Sequence, residues 1–497
     1  MVKLISHYID GQFVNGVGEK KFPVTNPATG EIIAEVVSAT PQEINSAISA
    51  AKQAFIVWSQ VTPLKRARVL FNFKILLDKN RDKIAELLTI EHGKTLEDAK
   101  GEVARAIELV EFSCGTPYLL QGNYSENVGA DIDTYTLKQP LGICVGISPF
   151  NFPVMISTWM FIPAIACGNT FILKPSEKDP STTLLLAELM QEAGLPPGVL
   201  NIIHGDKETV DALITHPDVA AVSAVGSTPV AEHIYKTAIL HGKRAHTFGG
   251  AKNHCVVMPD ADIDETADAV LGAAFGAAGE RCMAISVVVA VTDVVADALV
   301  ERLKIKIPQL KIASGMQSDV DMGPLVTKEH LLRVKSYVDC GIQEGAKLIV
   351  DGCEIEIPHS GNGFFMGACL FDHVTKNMRI YQEEIFGPVL CIMRVPNFEQ
   401  AIQLINENQY GNGVSLFTRD GGVARKFASL VNVGMVGINV PIPVPVAYHT
   451  FGGWKRSMFG DIAMHGAENV HFYTRSKTVT LRWPEKKEES TYHMISH

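Results

Sequence analysis

The sequence lacks the marks of several large protein classes. Its nine cysteines are an odd number, none stand in C-x-x-C spacing, and no H-E-x-x-H occurs. That argues against a disulfide framework and a structural zinc site, so no metal ligand is expected. It fits a reducing compartment. The net charge is −10, with no basic run or arginine-rich stretch. Phosphate binding needs clustered Lys and Arg, so nucleic acid is not an expected partner. No internal repeat is visible. The opening residues, MVKLISHYIDGQ, contain neither an apolar signal core nor an Arg/Ser-rich transit pattern, and the expected location is cytoplasmic.

One stretch imitates a membrane span. Residues 139–173 carry no charge, and their length alone would cross a bilayer. They hold Pro149, Pro153, Pro163, Asn151 and Asn169. Such residues suit a buried strand–loop–helix–strand better than a lipid-facing helix, so no membrane contact is expected.

The 497 residues suggest two or three domains at roughly 100–200 residues each. Between 142 and 258, apolar strand patterns (142–148, 170–174, 199–205, 219–226) alternate with helical ones near 181–193, 207–215 and 229–241. This predicts βαβ units and a parallel sheet. A second alternating block follows, with a helix over 261–279, a strand at 286–291, helices near 328–343 and 398–407, and strands at 347–350 and 388–394. VSLFT and VGMVGINV read as its last strands. The fold class is therefore α/β with two such domains, divided near 249–252. DIDTYTLKQ (131–139) and VTLRWP alternate as edge strands that pair with each other or with another subunit. A charge run follows VTLRWP and reads as a solvated end.

Gly226 and Ser227 follow a strand and open a helix. Backbone N–H groups at such a turn can approach a pyrophosphate. The pattern is not G-x-G-x-x-G, and a plain strand–helix turn fits it equally well. LKPSEK (173–178) follows another strand, where Lys174 and Glu177 could reach ribose hydroxyls. A carboxylate accepts from a 2′-OH and repels a 2′-phosphate, which favours NAD over NADP. A solvated Lys–Glu pair is the bland alternative. Cys282, in FGAAGERCMA, lies just past a helix beside Arg281, a cation expected to lower its thiol pKa. A lone cysteine is more often a small buried hydrophobe. Asn151, between two prolines, can donate to an oxyanion or simply cap a turn.

PFNFP, LKPSE, GST, FGG, GERC and EEIFGPV stand in the order found in the aldehyde dehydrogenase superfamily, and this resemblance covers nearly the whole chain. It implies a Rossmann-type NAD-binding domain (1–118 and 140–249) and a catalytic α/β domain (250–449). It also implies a small β oligomerisation arm (119–139 and 465–497) and a homotetramer, although a dimer is possible. It implies Cys282 as nucleophile, with Asn151 and the Cys282 N–H as oxyanion donors. Lys174, Glu177, Lys178, Gly226, Ser227 and Gly249 would hold the adenosine and pyrophosphate side of NAD. Ser148 and Phe150 would line the channel, and Glu384 and Phe386 would hold the nicotinamide ribose side.

One departure is informative. Hydrolytic members read E-L-G-G where this chain has Thr247-Phe248-Gly249-Gly250, so the water-activating glutamate is missing. That departure, with GAKNH, GERCM and NVPIPVPV, resembles the coenzyme-A-acylating branch that oxidises methylmalonate or malonate semialdehyde with loss of CO₂. Coenzyme A would then be the co-substrate. Arg105 and Arg281 match the arginines with which that branch grips the substrate carboxylate, a group arginine binds bidentately. Without the resemblance, Arg105 reads as a solvent-facing helix residue. A hydrolytic dehydrogenase releasing a free acid is the rival, and a non-catalytic protein on this fold a remoter one.

Overall fold

The computed structural model describes residues 3–355, 357 and 361–483. The first alternating block builds a parallel sheet from β1 (Ile143–Ile147), β2 (Thr170–Lys174), β3 (Leu200–Ile202), β4 (Val219–Val225) and β5 (Arg244–Phe248). Their order is β5-β4-β1-β2-β3, with every neighbour parallel. β1, β2 and β3 are buried at every residue. Helices cover both faces of such a sheet, which is why these strands read as apolar runs without alternation. Short antiparallel strands extend the edges, His7–Ile9 on β3 with Gln12–Val14 outside it, and Met458–Phe459 on β5.

Two helices matter most for the site. α1 (Leu96–Cys114) starts where the Thr95 hydroxyl accepts the Asp98 N–H, a common N-cap. It buries Ala99, Val103, Ala106 and Val110, a stripe at helical spacing, and packs against α2 (Pro153–Ala166). All of α2 is buried. The charge-free run thus resolves into β1, α2 and most of β2. No helix among the described residues is long and apolar enough to cross a membrane.

After Phe248 the chain crosses at 249–252 into a second sheet, made of β6 (Asn253–Val257), β7 (Ile285–Val291), β8 (Cys369–Asp372), β9 (Val389–Val395), β10 (Gly413–Phe417) and β11 (Met435–Ile438). The order is β8-β9-β7-β6-β10-β11, all parallel, with Lys347–Val350 antiparallel outside β8. α3 (Thr228–Leu240) follows β4, and α4 (Ile263–Phe275) follows β6. The sequence predicts one helix over 261–279, but α4 ends at Phe275. A short 3-10 turn, Gly276–Gly279, follows, with Ala277 and Ala278 left-handed at φ 48° and 53°. The bend is held from outside the helix, because the Ala277 N–H donates to Asp98 Oδ2 at 3.0 Å. It redirects the chain toward Cys282.

The two alternating edge strands pair with each other. Ile132–Pro140 lies between Tyr124–Gly129 and Thr474–Arg482 in an antiparallel three-stranded sheet. Residues 465–473, grouped by sequence with the tail, instead pack into the first domain. Asn469 Nδ2 donates to Trp159 O at 3.1 Å, and Phe472 and Tyr473 are buried. The charge run beyond Trp483 lies outside the described residues.

Candidate active site

A cavity of about 630 Å³ opens at the carboxyl ends of β1, β2 and β4 and reaches the second domain at Cys282, Glu384 and Phe386. Ligands bind in this crevice of open parallel α/β sheets. Ser148, Phe150, Asn151, Lys174, Glu177, Lys178, Gly226, Ser227 and Gly249 all line it. Of the predicted site residues, only Arg105 and Arg281 stand outside its lining.

At one end, Ser227 is the N-cap of α3, and its side chain makes no capping hydrogen bond. Pro229 has no N–H, so the Thr228 and Val230 N–H groups are those left for an anion, at the positive end of the helix dipole. Lys174 Nζ stands 3.4 Å from Glu177 Oε2, so the predicted pair forms and faces the cavity. At the other end, Glu384 Oε1 accepts the Ala251 N–H at 2.9 Å. A Cβ on Gly250 would stand 2.5 Å from Glu384 Oε2, so only glycine admits the carboxylate there. Burial pushes the Glu384 pKa up. Phe386 is left-handed, at φ 61°, and its ring meets that of Phe150 edge-on at 5.9 Å.

Phe150 sits in a box the sequence did not reveal. His92 stacks on it at 5.9 Å, His330 meets it edge-on, and Lys178 Nζ lies 4.4 Å from the ring centre. Behind the box lies Glu280, fully buried, 3.9 Å from His92 Nε2 and 3.6 Å from His330 Nε2. Burial pushes its carboxyl up to about 8. His330 in turn contacts the Phe386 carbonyl at 2.7 Å.

Cys282 is held by its main chain. Its carbonyl accepts from Asn253 Nδ2 at 2.9 Å and Asn412 Nδ2 at 3.0 Å, one amide at the start of β6 and one just before β10. The expected lowering of the thiol pKa is overturned. Burial, then the Glu384 charge, push the thiol up to about 12, and Arg281 opposes them only weakly. The Arg281 guanidinium is committed elsewhere, donating to Asp98 Oδ1 at 2.5 Å.

Asn151 is braced from below. Its carbonyl accepts Lys94 Nζ at 2.6 Å, and the same ammonium donates to Glu102 Oε2 at 2.7 Å. Glu102 Oε1 accepts the Val154 and Met155 N–H groups, at 2.8 and 3.1 Å. Lys94 and Glu102 are both buried, so this pair clamps the first turn of α2 to the Asn151 loop. Lys94 and Glu102 carry no local motif. They reach the Asn151 loop because α1 packs on α2.

Thr247 is fully buried and donates through Oγ1 to Ala231 O at 2.8 Å. The carboxylates lining the cavity, among the described residues, are Glu177, Asp206 and Glu384. Asp206 is bonded to Lys20. Arg105 donates to Glu108 Oε2 at 2.6 Å and to the Val444 and Pro445 carbonyls at 3.1 and 3.0 Å. It thereby ties α1 to the NVPIPVPV loop.

A model of the aldehyde dehydrogenase family matches residues 13–479. The malonate-semialdehyde dehydrogenase of Pseudomonas aeruginosa is 55% identical over 482 residues, 97% of each chain. Malonate-semialdehyde dehydrogenase 1 of Geobacillus thermodenitrificans is 47% identical over 97% of this chain and 99% of its own. A Sinorhizobium meliloti 1021 protein solved in complex with NAD superposes with a TM-score of 0.97 at 52% identity, covering 98% of this chain and 100% of that one. The methylmalonate-semialdehyde dehydrogenase of Oceanimonas doudoroffii gives 0.96 at 53% identity, covering 98% and 99%.

Proposed function

Because this chain belongs to the aldehyde dehydrogenase family, we propose that it oxidises malonate or methylmalonate semialdehyde with NAD and passes the acyl group to coenzyme A. The relatives named for these substrates match almost the full length. NAD fits the cavity on three counts. The N-terminus of α3 is free to take a pyrophosphate, Glu177 can accept from a ribose 2′-OH, and Glu384 stands beside Cys282 to hold the second ribose.

Cys282, whose thiol pKa is pushed up by burial and Glu384, gives its proton to solvent in the cavity and attacks the aldehyde carbon as thiolate, forming a C–S bond. Asn151 and the Cys282 N–H donate to the oxygen that gains charge. NAD, when bound, accepts the hydride that converts this adduct to a thioester. The acyl group then carries a carboxylate β to the thioester carbonyl. Loss of CO₂ leaves an enolate, which the same two donors stabilise before its carbon takes a proton. The thiolate of coenzyme A attacks the thioester, and Cys282 leaves. Arg105 and Arg281 would grip the substrate carboxylate by exchanging their present carboxylate partners, Glu108 and Asp98. That grip must loosen before CO₂ departs, since a clamp stabilises the carboxylate against leaving. The arm sheet, open on both faces, would serve a homotetramer.

The observation that carries the acylating reading is Thr247. It holds the sequence position at which the hydrolytic members carry the base, and its hydroxyl is turned to the α3 backbone. General-base help is worth about 10²–10⁴-fold, so deacylation by water is slow and a thiol takes over. The second reading, hydrolysis to a free acid, has Glu384 in its favour. Glu384 is close enough to Cys282 to raise its thiol pKa, and its own pKa is raised. The deciding assay follows NADH from malonate semialdehyde with and without coenzyme A, with CO₂ and acyl-CoA measured together. Multiple turnovers that require coenzyme A and yield acetyl-CoA with CO₂ support acylation. Turnover without it, yielding free acid, assigns the base role to Glu384 and removes the acylating reading.

A further inference from the structure

Away from the cavity, the fold brings together one cluster of metal-ligand side chains among the described residues. Asp351, Cys353 and Cys369 place a carboxylate oxygen and two sulfurs within 4.8 Å of one another. Cys353 lies in the loop after strand Lys347–Val350, and Cys369 opens β8. Two glycines create the approach. The Gly367 N–H donates to Gly352 O at 2.6 Å, and a Cβ on Gly352 would stand 2.3 Å from the Gly367 carbonyl carbon. With no side chain between the backbones, the cysteines beyond them meet.

The donors are already arranged for a cation. The Gly352 N–H donates to the Cys369 sulfur at 3.3 Å. Asp351 Oδ1 accepts the Cys353 N–H at 2.9 Å, which fixes the carboxylate beside the sulfurs. Lys335 also faces Cys369, though it pairs with Glu354 at 3.0 Å. Asp351 is exposed, Cys353 half-buried and Cys369 buried, so the cluster opens to solvent on its carboxylate side. Cys144 and Cys167 are also neighbours. Both are wholly buried, with no opening for an ion from solvent.

We propose that Asp351, Cys353 and Cys369 bind one soft divalent cation of the zinc and cadmium class, with the fourth position left to water. Around tetrahedral zinc, with bonds of about 2.0–2.3 Å, neighbouring donors stand roughly 3.5–3.8 Å apart. The donors therefore need to close by no more than roughly 1.0–1.3 Å. Binding forms two metal–sulfur bonds and one metal–oxygen bond and releases both thiol protons to solvent. The sequence hides the site because the two cysteines come from opposite ends of a long loop and show no metal-ligand spacing.

The test uses the full-length Cys282→Ala protein, which removes the thiol of the cavity as a competing soft ligand. Cadmium is titrated in, and the sulfur-to-cadmium charge-transfer absorbance and the metal retained after desalting are read. One equivalent per chain is expected, displaceable by zinc. Cys353→Ser and Cys369→Ser should each abolish the band, while Asp351→Asn should weaken binding roughly 10-fold or more. Unchanged thermal melting of the variants shows that they remain folded. No band in the parent protein, or a band that survives both serine variants, overturns the proposal.

Discussion

Around Cys282 two neighbours pull in opposite directions, and the side chain next in sequence is the weaker. Arg281 spends its charge on Asp98, whereas Glu384 faces the sulfur across the cavity and raises its pKa. Glu384→Gln should therefore speed alkylation of Cys282 by iodoacetamide at pH 8, because removing a negative charge favours the thiolate. The pH dependence of the alkylation rate should shift to lower pH. An unshifted profile would mean that burial alone sets the thiol. Cys282, Asn151, Phe150, Glu384 and Phe386 were legible because each lies in a contiguous motif. Arg281 misled because adjacency in sequence says nothing about where a guanidinium points. Asn253, Asn412, His92, His330 and Glu280 were not legible. They reach the site from separate segments, and as single residues they look like any buried polar group.

Among the elements, the two sheets followed from the pattern of apolar runs, since each strand is short and bounded by helices. In the helical stretch ahead of them (Pro41–Trp58, Pro63–Lys79, Arg81–His92 and α1), only the helix around Arg105 was legible in the sequence, and the stretch supplies the brace under Asn151. Within it, α1 contributes Glu102, whose carboxylate answers Lys94 and two N–H groups at the start of α2. Glu102→Ala leaves a buried ammonium without its counter-ion and two N–H groups without an acceptor. Breaking a buried pair in this way costs about 3–5 kcal/mol, so a comparable loss is expected in urea unfolding. Glu102→Gln keeps an acceptor and should lose less. Equal losses in the two variants would show that the charge of Glu102 contributes nothing.

The arm is a feature of the whole molecule. Its three strands bury almost nothing on either face, and Tyr124, Val128 and Leu137 are exposed. A sheet in this state gains stability only when another surface covers it. A protein ending at Tyr473 should lose its higher oligomers in light scattering while keeping both parallel sheets. An unchanged mass would place the contact elsewhere.

The response of the fold to pH also belongs to the whole chain. Burial holds His204, His246, His254 and His465 down to about 3 and His330 to about 4. Below pH 6.5 the unfolded chain gains protons at these sites that the folded chain refuses, so stability falls as pH drops from 6.5 toward 3. Burial acts oppositely on Glu91 and Glu280, raised to about 7 and 8. Between pH 4.5 and 8 the unfolded chain sheds protons that the folded chain keeps, so stability falls as pH rises through that window and then levels. With His7, His92 and His216 also lowered and Asp179 and Glu384 also raised, eight histidines outweigh four carboxyls below 6.5, and only the carboxyls act above it. The urea midpoint should therefore peak near pH 6.5, fall steeply on the acid side and decline gently to pH 8. Each uncompensated proton changes stability by about 1.4 kcal/mol per pH unit. Glu280→Gln, neutral in both states, should flatten the alkaline decline. If the decline persists unchanged in that variant, Glu280 is not holding its proton in the folded protein.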